Sequence, residues 1–336
     1  MKKLAVLILI IIIGIIVGYK WYSSNKNNTN PKAETSLRLN WLTTSSFAGE
    51  VVGAEKFAEQ NSIALRIDKG GPGLDPIKLV ESGVNTFGVA GADLVLSAND
   101  KGADLVIIGL VNYNSPGVWV SKAEKNILSI NDIKPSTRIG ELPGGNMIYL
   151  YEVLLKKTGL ERNKNFTPTP IPFELKGFIS GDETDLRPIF NYEVLPELDM
   201  LGIKYNLIEP KNLGIDFKGP AYFCKRETIE KNPELVQDFI NTMIQGWQYS
   251  LSNPQEAISS LKKFDNSIDE NKELLGLKIG KSYFEGYDGK LLYSDNASWE
   301  AMIKDMKDLG FLKNNVELSK VLDLSFVEKY YSNESR

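Results

Sequence analysis

The side chains able to do acid–base or nucleophilic chemistry are few in kind. The 336-residue chain has no histidine and a single cysteine. Without histidine, Ser-His and Cys-His catalysis, His-ligated zinc and histidine proton shuttles are excluded. Cys224, in the apolar run "AYFCK", can form neither an intrachain disulfide nor a thiolate cage, and reads as a small buried hydrophobe. Carboxylates are plentiful. Asp182, Glu183 and Asp185 crowd together in "GDETD", as an acid–base pair would, but no spacing singles out two of them and the run reads as a solvated loop. The stretch "GGPGLDP" lacks the Lys-Ser/Thr ending of a phosphate-binding P-loop, and no metal-ligand spacing occurs. No metal, no cofactor and no catalysis are expected; what remains is non-covalent recognition.

Recognition needs elements that present backbone and side chains at a common edge. The segment from Gly70 to Gly109 is dense in such punctuation. Asp75 is placed to cap a helix whose first position is Pro76, with Gly83 past its end. "NTFGVAG" then reads as a strand, "ADLVLSANDKG" as a short helix and "ADLVIIGLV" as a buried strand. This strand–helix rhythm gives a parallel sheet, and in such sheets the loops after the strands form the ligand crevice. Ala90, Gly91 and Asp93 sit at such a strand end before a helix, where backbone N–H groups suit a ligand acceptor; Asp93 could serve only as a cap. Upstream, "LRLNWL" and "ALRID" read as strands, and Phe47, Val51, Ala54 and Ala58 fall on one helical face that Ser46 can cap. Downstream, "TRIGEL", "LRPIF", "KYNLIE" and "GPAYFCK" read as strands and "TPTPIPF" as an edge. From Asn232 the chain turns helical, with Asn232-Pro233 and Asn253-Pro254 opening helices and Leu235, Phe239, Met243 and Trp247 marking one buried stripe.

Composition sets outer limits. Apolar residues make up 42% and charged residues 24% of the chain, enough for two ordinary cores. A net charge of -4, without any Lys/Arg run longer than a pair, argues against a nucleic-acid partner. Lys2 and Lys3 precede an apolar run from Leu4 to Val17, extended by Trp21 and Tyr22. No small-x-small cleavage site follows. Residues 1–22 are therefore expected to be an uncleaved signal anchor, with a cleaved signal peptide as the alternative, and the remainder to be exported. Residues 23–35 are polar and aperiodic, a flexible tether reaching about 20 Å.

The order of elements resembles that of the solute-binding proteins of ABC importers, in the branch of nitrate, sulfonate and taurine binders and of thiamine-pyrimidine-precursor binders. The segments "RLNWLTTSSFAGEVVGAEKFAEQNSIALRI", "KLVESGVNTFGVAGADLVLSANDKGADLVIIG" and "ETDLRPIFNYEVLPELDMLGIKYNLIEPKNLGID" carry the resemblance, and "ETIEKNPELVQDFINTMIQGWQYSLSNPQEA" matches best. The chain departs from the family in places. An Asn-Glu pair becomes Asn191-Tyr192-Glu193, Leu213-Gly214 stands where a Tyr-Gly falls, and no lipid-attachment cysteine is present. Eukaryotic relatives resembling pyrimidine synthases consume a histidine of their own, which this chain lacks.

The resemblance implies an α/β, two-lobed, periplasmic-binding-protein-like fold of type II, with two crossovers and central mixed, mostly parallel sheets. Lobe 1 would take residues 36–122 and 221–336, and lobe 2 residues 123–220, closing on a ligand by a hinge. The protein would act as a monomer with a small-molecule ligand and a membrane-embedded ABC permease as partners.

In that frame Trp41 and Phe47 bracket the first loop, Trp41 as a stacking wall or a core residue, with Ser45 and Ser46 as hydrogen-bond donors. Tyr113 and Asn114 would lie at the cleft mouth. Gly144, Gly145 and Asn146 open a second-lobe helix whose start favours an anion, and Tyr149 follows one turn on. Glu193, with Asn191, is the position that separates ligands: a carboxylate in the cleft holds an amino-pyrimidine and repels nitrate or sulfonate. An anion binder should instead offer an arginine; only Arg138 and Arg187 are at hand in the second lobe, neither at an obvious strand end. A pyrimidine-type heteroaromatic ranks first, a small anion second. A membrane-anchored ligand sensor is the alternative role.

Overall fold

The computed structural model describes residues 33–142, 147–214 and 217–334. The expected anchor and most of the tether lie outside these residues. Among those described, no helix is long and apolar enough to cross a membrane. From Glu34 onward the chain is one contiguous unit.

Two sheets organise that unit. The strands are β1 Ala33–Arg38, β2 Ile63–Asp68, β3 Phe87–Gly91, β4 Leu105–Leu110, β5 Gly117–Lys122, β6 Gly140–Glu141, β7 Thr169–Pro170, β8 Arg187–Phe190, β9 Tyr205–Ile208 and β10 Pro220–Lys225. The first sheet runs β2-β1-β3-β10-β4. β1 and β3 are parallel, and β10 lies antiparallel between β3 and β4. In the second, β5 lies antiparallel between β8 and β9, β6 pairs parallel with β7, and a parallel bridge from Ile139 to Leu186 joins the two pieces. The order is then β7-β6-β8-β5-β9. The two sheets repeat one plan: four strands in sequence plus one antiparallel strand delivered by a crossover. The chain crosses twice, after β4 and after β9, giving the two-lobed α/β fold with mixed sheets. β5, grouped with the first lobe from sequence, hydrogen-bonds in the second sheet. Its residues Val118, Trp119 and Val120 are buried on both faces, as a central strand requires.

The helices are α1 Ala48–Val52, α2 Pro76–Glu81, α3 Ala92–Asp100, α4 Ile148–Thr158, α5 Lys176–Ser180, α6 Asn191–Met200, α7 Arg226–Lys231, α8 Pro233–Ser252, α9 Pro254–Phe264, α10 Glu270–Phe284, α11 Asn296–Asp308, α12 Leu318–Val321 and α13 Ser325–Glu334. α1 is entered through a 3-10 turn at Ser45–Phe47 and continues as a π-helical turn, Gly53–Phe57. Asp75 caps α2 as expected, accepting from the N–H groups of Ile77 and Lys78. The Ser46 cap expected for α1 does not form. Thr44 caps the 3-10 turn that precedes the helix, because the chain starts to coil at Ser45, and α1 itself has no side-chain cap; Ser46 is thereby released for another contact. Asn232 and Asn253 precede helices that open on Pro233 and Pro254, but neither makes a side-chain cap bond.

The first-lobe core forms where α8 packs on the sheet and on α1. Phe239, Met243 and Trp247 are buried, and Phe239 stacks on Phe87 of β3 at 3.9 Å. Each such burial stabilises the fold by roughly 2 kcal/mol. α1 and α8 cross at glycines: a Cβ on Gly246 would lie 2.1 Å from the carbonyl oxygen of Gly49. Backbone cannot yield there as a side chain could, so Gly246→Ala should destabilise the protein by about 1–3 kcal/mol. Urea unfolding measures this; an unchanged midpoint would contradict the helix crossing.

Candidate functional site

A cavity of about 820 Å³ opens between the sheets and continues into a groove between α2 and α3. Its first-lobe wall includes Asn40, Trp41, Ser46, Phe47, Glu50, Val89, Ala90, Val111 and Asn112; its second-lobe wall includes Leu142, Met147, Phe173, Arg187, Phe190, Tyr192 and Glu193. Most of these residues come from the ends of β1, β3, β4, β6, β7 and β8 or from the helices that follow, where such sheets deliver loops, while Arg187 stands at the start of β8.

Glu193, in the first turn of α6, lines this cleft. Its Oε1 accepts a hydrogen bond from the Ser46 hydroxyl of the other lobe at 2.7 Å. Burial pushes its carboxyl up to about 7; the Ser46 bond opposes this and the charge of Glu273 adds to it. Trp41 meets Phe173 across the cleft, with ring centroids 4.9 Å apart. Phe47 and Ala90 also line the wall. The sequence-expected residues brought together are thus Trp41, Ser46, Phe47, Ala90 and Glu193.

Others lie elsewhere. The Ser45 N–H is bonded to Glu273 Oε2 at 2.5 Å, tying the α1 entry to α10. Asn191 donates to the Tyr283 hydroxyl at 2.7 Å, behind the cleft wall. Gly91 ends β3, and Asp93 turns its carboxyl back over Gly91, where burial raises it to about 7. Neither lines the cavity. Tyr113 donates to Asp295 at 3.0 Å and stacks on Tyr287, so it braces the crossover rather than the cleft mouth. Asn114 lines a separate cavity of about 230 Å³ with Glu209, Lys211 and Tyr283. Tyr149 is not a cleft wall but core, packed edge-on against Phe217 at 3.9 Å and Phe311 at 4.6 Å. Gly144, Gly145 and Asn146 lie outside the described residues.

The "GDETD" run is not the solvated loop expected. Asp182 is exposed, but Asp185 is gripped by Arg138 and Lys125, which hold its carboxyl far below the usual range. Glu183 pairs with Arg187 at 2.9 Å. Charge neutralisation inside the lobe, not solvent, satisfies two of the three.

Two cleft groups, Glu50 and Asn112, were not singled out from sequence, and a third, Arg187, was weighed as an anion ligand and set aside. Arg187 is almost wholly buried and does line the cavity. Its Nη1 bonds Glu183 and its Nη2 the carbonyls of Pro172 and Phe173, at 2.6 and 3.0 Å, so the guanidinium fixes the loop that carries Phe173. Glu50 of α1 is fully buried, its Oε1 accepting from the Tyr222 hydroxyl at 2.6 Å. Tyr222 in turn accepts from Trp247 Nε1 at 3.0 Å. Asn112, just past β4, is also fully buried, its Oδ1 accepting from the Tyr192 hydroxyl at 3.0 Å. Glu50 had a visible signal. It stands three residues after Phe47 on the apolar face of its helix, where a charged residue is out of place unless it is used.

A family model described as "NMT1/THI5 like" matches residues 44–257. The riboflavin-binding protein RibY of Chloroflexus aurantiacus is 22% identical over 255 residues, 73% of this chain and 71% of that protein. Among solved structures, the alkanesulfonate-binding protein SsuA from Xanthomonas axonopodis pv. citri, bound to MOPS, superposes with a TM-score of 0.64 at 17% identity, over 87% of this chain and 98% of its own. The periplasmic nitrate-binding protein NrtA from Synechocystis PCC 6803 gives 0.66 at 11% identity, over 90% and 89%. The desulfurization enzyme DSZB gives 0.59 at 12% identity, over 90% and 100%. These structures share the fold while differing in what they hold, and one is an enzyme. The family match covers both faces of the cleft, from Thr44 through Glu193 and on into α8 and α9, and the chain belongs to the NMT1/THI5-like family.

Proposed function

We propose that this chain is an extracytoplasmic solute-binding protein that hands a small ligand to an ABC importer and does no chemistry on it. The ligand in this reading is a heteroaromatic bearing an amine or ring N–H, of the thiamine-type pyrimidine precursor kind or a related larger ring such as the flavin named for RibY. The observation that carries it is the charge inside the cleft. Glu193 faces the cavity, whereas the buried cation there, Arg187, is already committed to Glu183 and to two backbone carbonyls. A carboxylate with no free partner cation favours an N–H donor and repels an anion. Trp41 and Phe173, in contact with each other across the cleft, supply an aromatic wall against which a flat ring packs.

A small anion is the second reading. It is favoured by one observation: the Nε of Arg187 has no partner although the residue is buried at the cavity. A thermal-shift screen against aminopyrimidines, riboflavin, alkanesulfonates, nitrate and amino acids separates the two. A ligand at about 100 times its Kd stabilises the protein by about 2.7 kcal/mol. Heteroaromatics should raise the midpoint; a shift with sulfonate or nitrate alone would overturn the ranking. Within the first reading, Trp41→Ala should weaken a heteroaromatic hit by about tenfold. Intrinsic tryptophan fluorescence titration reads this, and unaltered affinity would place the ring elsewhere.

A further inference from the structure

Resting on the reading of the cleft as a ligand site, we propose that Glu50 and Asn112 form a second polar subsite there, one that donates two hydrogen bonds to an acceptor edge of the ligand. Both side chains are fully buried in the first-lobe wall of the cavity. Each has one polar atom spoken for and one without a partner. Glu50 Oε1 accepts from Tyr222 and Asn112 Oδ1 accepts from Tyr192. Glu50 Oε2 and Asn112 Nδ2 have no partner in the protein. A buried polar atom without a partner costs about 1–3 kcal/mol, so two of them on one cavity wall mark a place that a ligand completes.

The hydrogen-bond pattern fixes what each atom offers. Nδ2 of Asn112 can only donate. Burial holds Glu50 neutral, pushing its carboxyl up to about 8 against the Tyr222 bond and its own backbone N–H. With Tyr222 donating to Oε1, the proton of that neutral carboxyl sits on Oε2. Facing Glu50 are Tyr222 from β10 and Tyr192 from α6, both held neutral by burial, and Trp247 from α8, which does not titrate. Glu193 on α6 lines the same cavity and titrates lower, near 7. The two carboxyls therefore play opposite parts. Glu193 takes a ligand amine or N–H, while Glu50 with Asn112 gives hydrogen bonds to a ring nitrogen or carbonyl oxygen. The ligand class is an N-heterocycle with a donor on one edge and acceptors on another, which a sulfonate or nitrate is not.

Isothermal titration of the full chain with riboflavin and with 4-amino-2-methylpyrimidine, at pH 6 and pH 9, tests this. Glu50→Gln keeps the shape, the acceptor for Tyr222 and a donor in place of Oε2–H. Asn112→Asp keeps the acceptor for Tyr192 and removes the donor. As pH rises, ionisation of Glu193 near 7 strengthens its hold on a ligand N–H while ionisation of Glu50 near 8 removes a donor, so in a Glu193→Gln background affinity should fall by about tenfold or more between the two pH values. Glu50→Gln should bind as the wild type does at pH 6 and lose the fall centred near pH 8, leaving only the rise near pH 7 that Glu193→Gln removes. Asn112→Asp should bind at least tenfold more weakly at both. If both variants bind with the wild-type affinity and pH profile, the subsite is wrong while the cleft reading stands. If neither probe binds the wild type, both fall.

Discussion

Glu193→Gln weakens the binding of an amino-substituted heteroaromatic by about 10- to 100-fold, the range expected when a hydrogen bond to a charged partner becomes one to a neutral amide. Glu193 begins α6 at the end of β8, so a short strand and a helix start aim it at the opposite lobe. There Ser46 holds one carboxyl oxygen at 2.7 Å. An amide can still accept that bond, so the fold and the inter-lobe contact should survive and the loss should appear in affinity alone. Titration calorimetry with unfolding as a control reads both quantities. Full affinity in a folded Glu193→Gln protein would remove Glu193 from the site.

Stability should fall as pH rises from about 4.5 to about 8, and Glu50→Gln should remove much of that fall. In the unfolded chain Glu50 titrates near 4.5, while in the fold burial raises it to about 8. Between those values the folded protein keeps a proton that the unfolded chain has lost. Folding is therefore progressively penalised as pH rises through the window, and the penalty is complete above the folded value. The cost across the window is on the order of several kcal/mol for a group so buried. Glu193 and Asp93, each raised to about 7 by burial, act in the same direction over a narrower range. Asp185, held low by Arg138, acts in the opposite sense and only at more acid pH, so it does not mask the slope. Denaturant unfolding from pH 5 to pH 9 should show wild-type stability declining and Glu50→Gln declining less. Parallel curves would mean that Glu50 is ionised in the fold throughout.

Much of the fold was legible because it rests on local patterns. The strand–helix rhythm from Asp75 to Leu110, the glycine-bounded helices and the Phe239, Met243, Trp247 stripe each follow from periodicity and capping within a few residues. The sheet assignment of β5 was not, since a buried strand carries no mark of which sheet accepts it; only its pairing with β8 and β9 decides that. The site divided along the same line. Trp41, Phe47, Ala90 and Glu193 stand at ends of elements, where sequence points to a loop cluster, and they meet in the cleft. Tyr113 and Tyr149 also stand near such ends, but long-range partners took them: Asp295 and Tyr287 for the one, Phe217 and Phe311 for the other. Arg187 looked misplaced at the start of a strand, yet the bend of the Pro172–Phe173 loop around its guanidinium brings it to the cavity. Asn112 and Glu50 needed the fold to show that one side chain can have both a bonded and an unpartnered polar atom.

The most direct test of the account is equilibrium binding followed by recovery of the ligand. The protein is titrated calorimetrically with 4-amino-2-methylpyrimidine, riboflavin, an alkanesulfonate and nitrate, and whatever binds is released by denaturation and weighed by mass spectrometry. The account predicts one site per chain, a heteroaromatic preferred over either anion, and a released molecule of unchanged mass. Tighter binding of sulfonate or nitrate, or recovery of a chemically altered ligand, would contradict it.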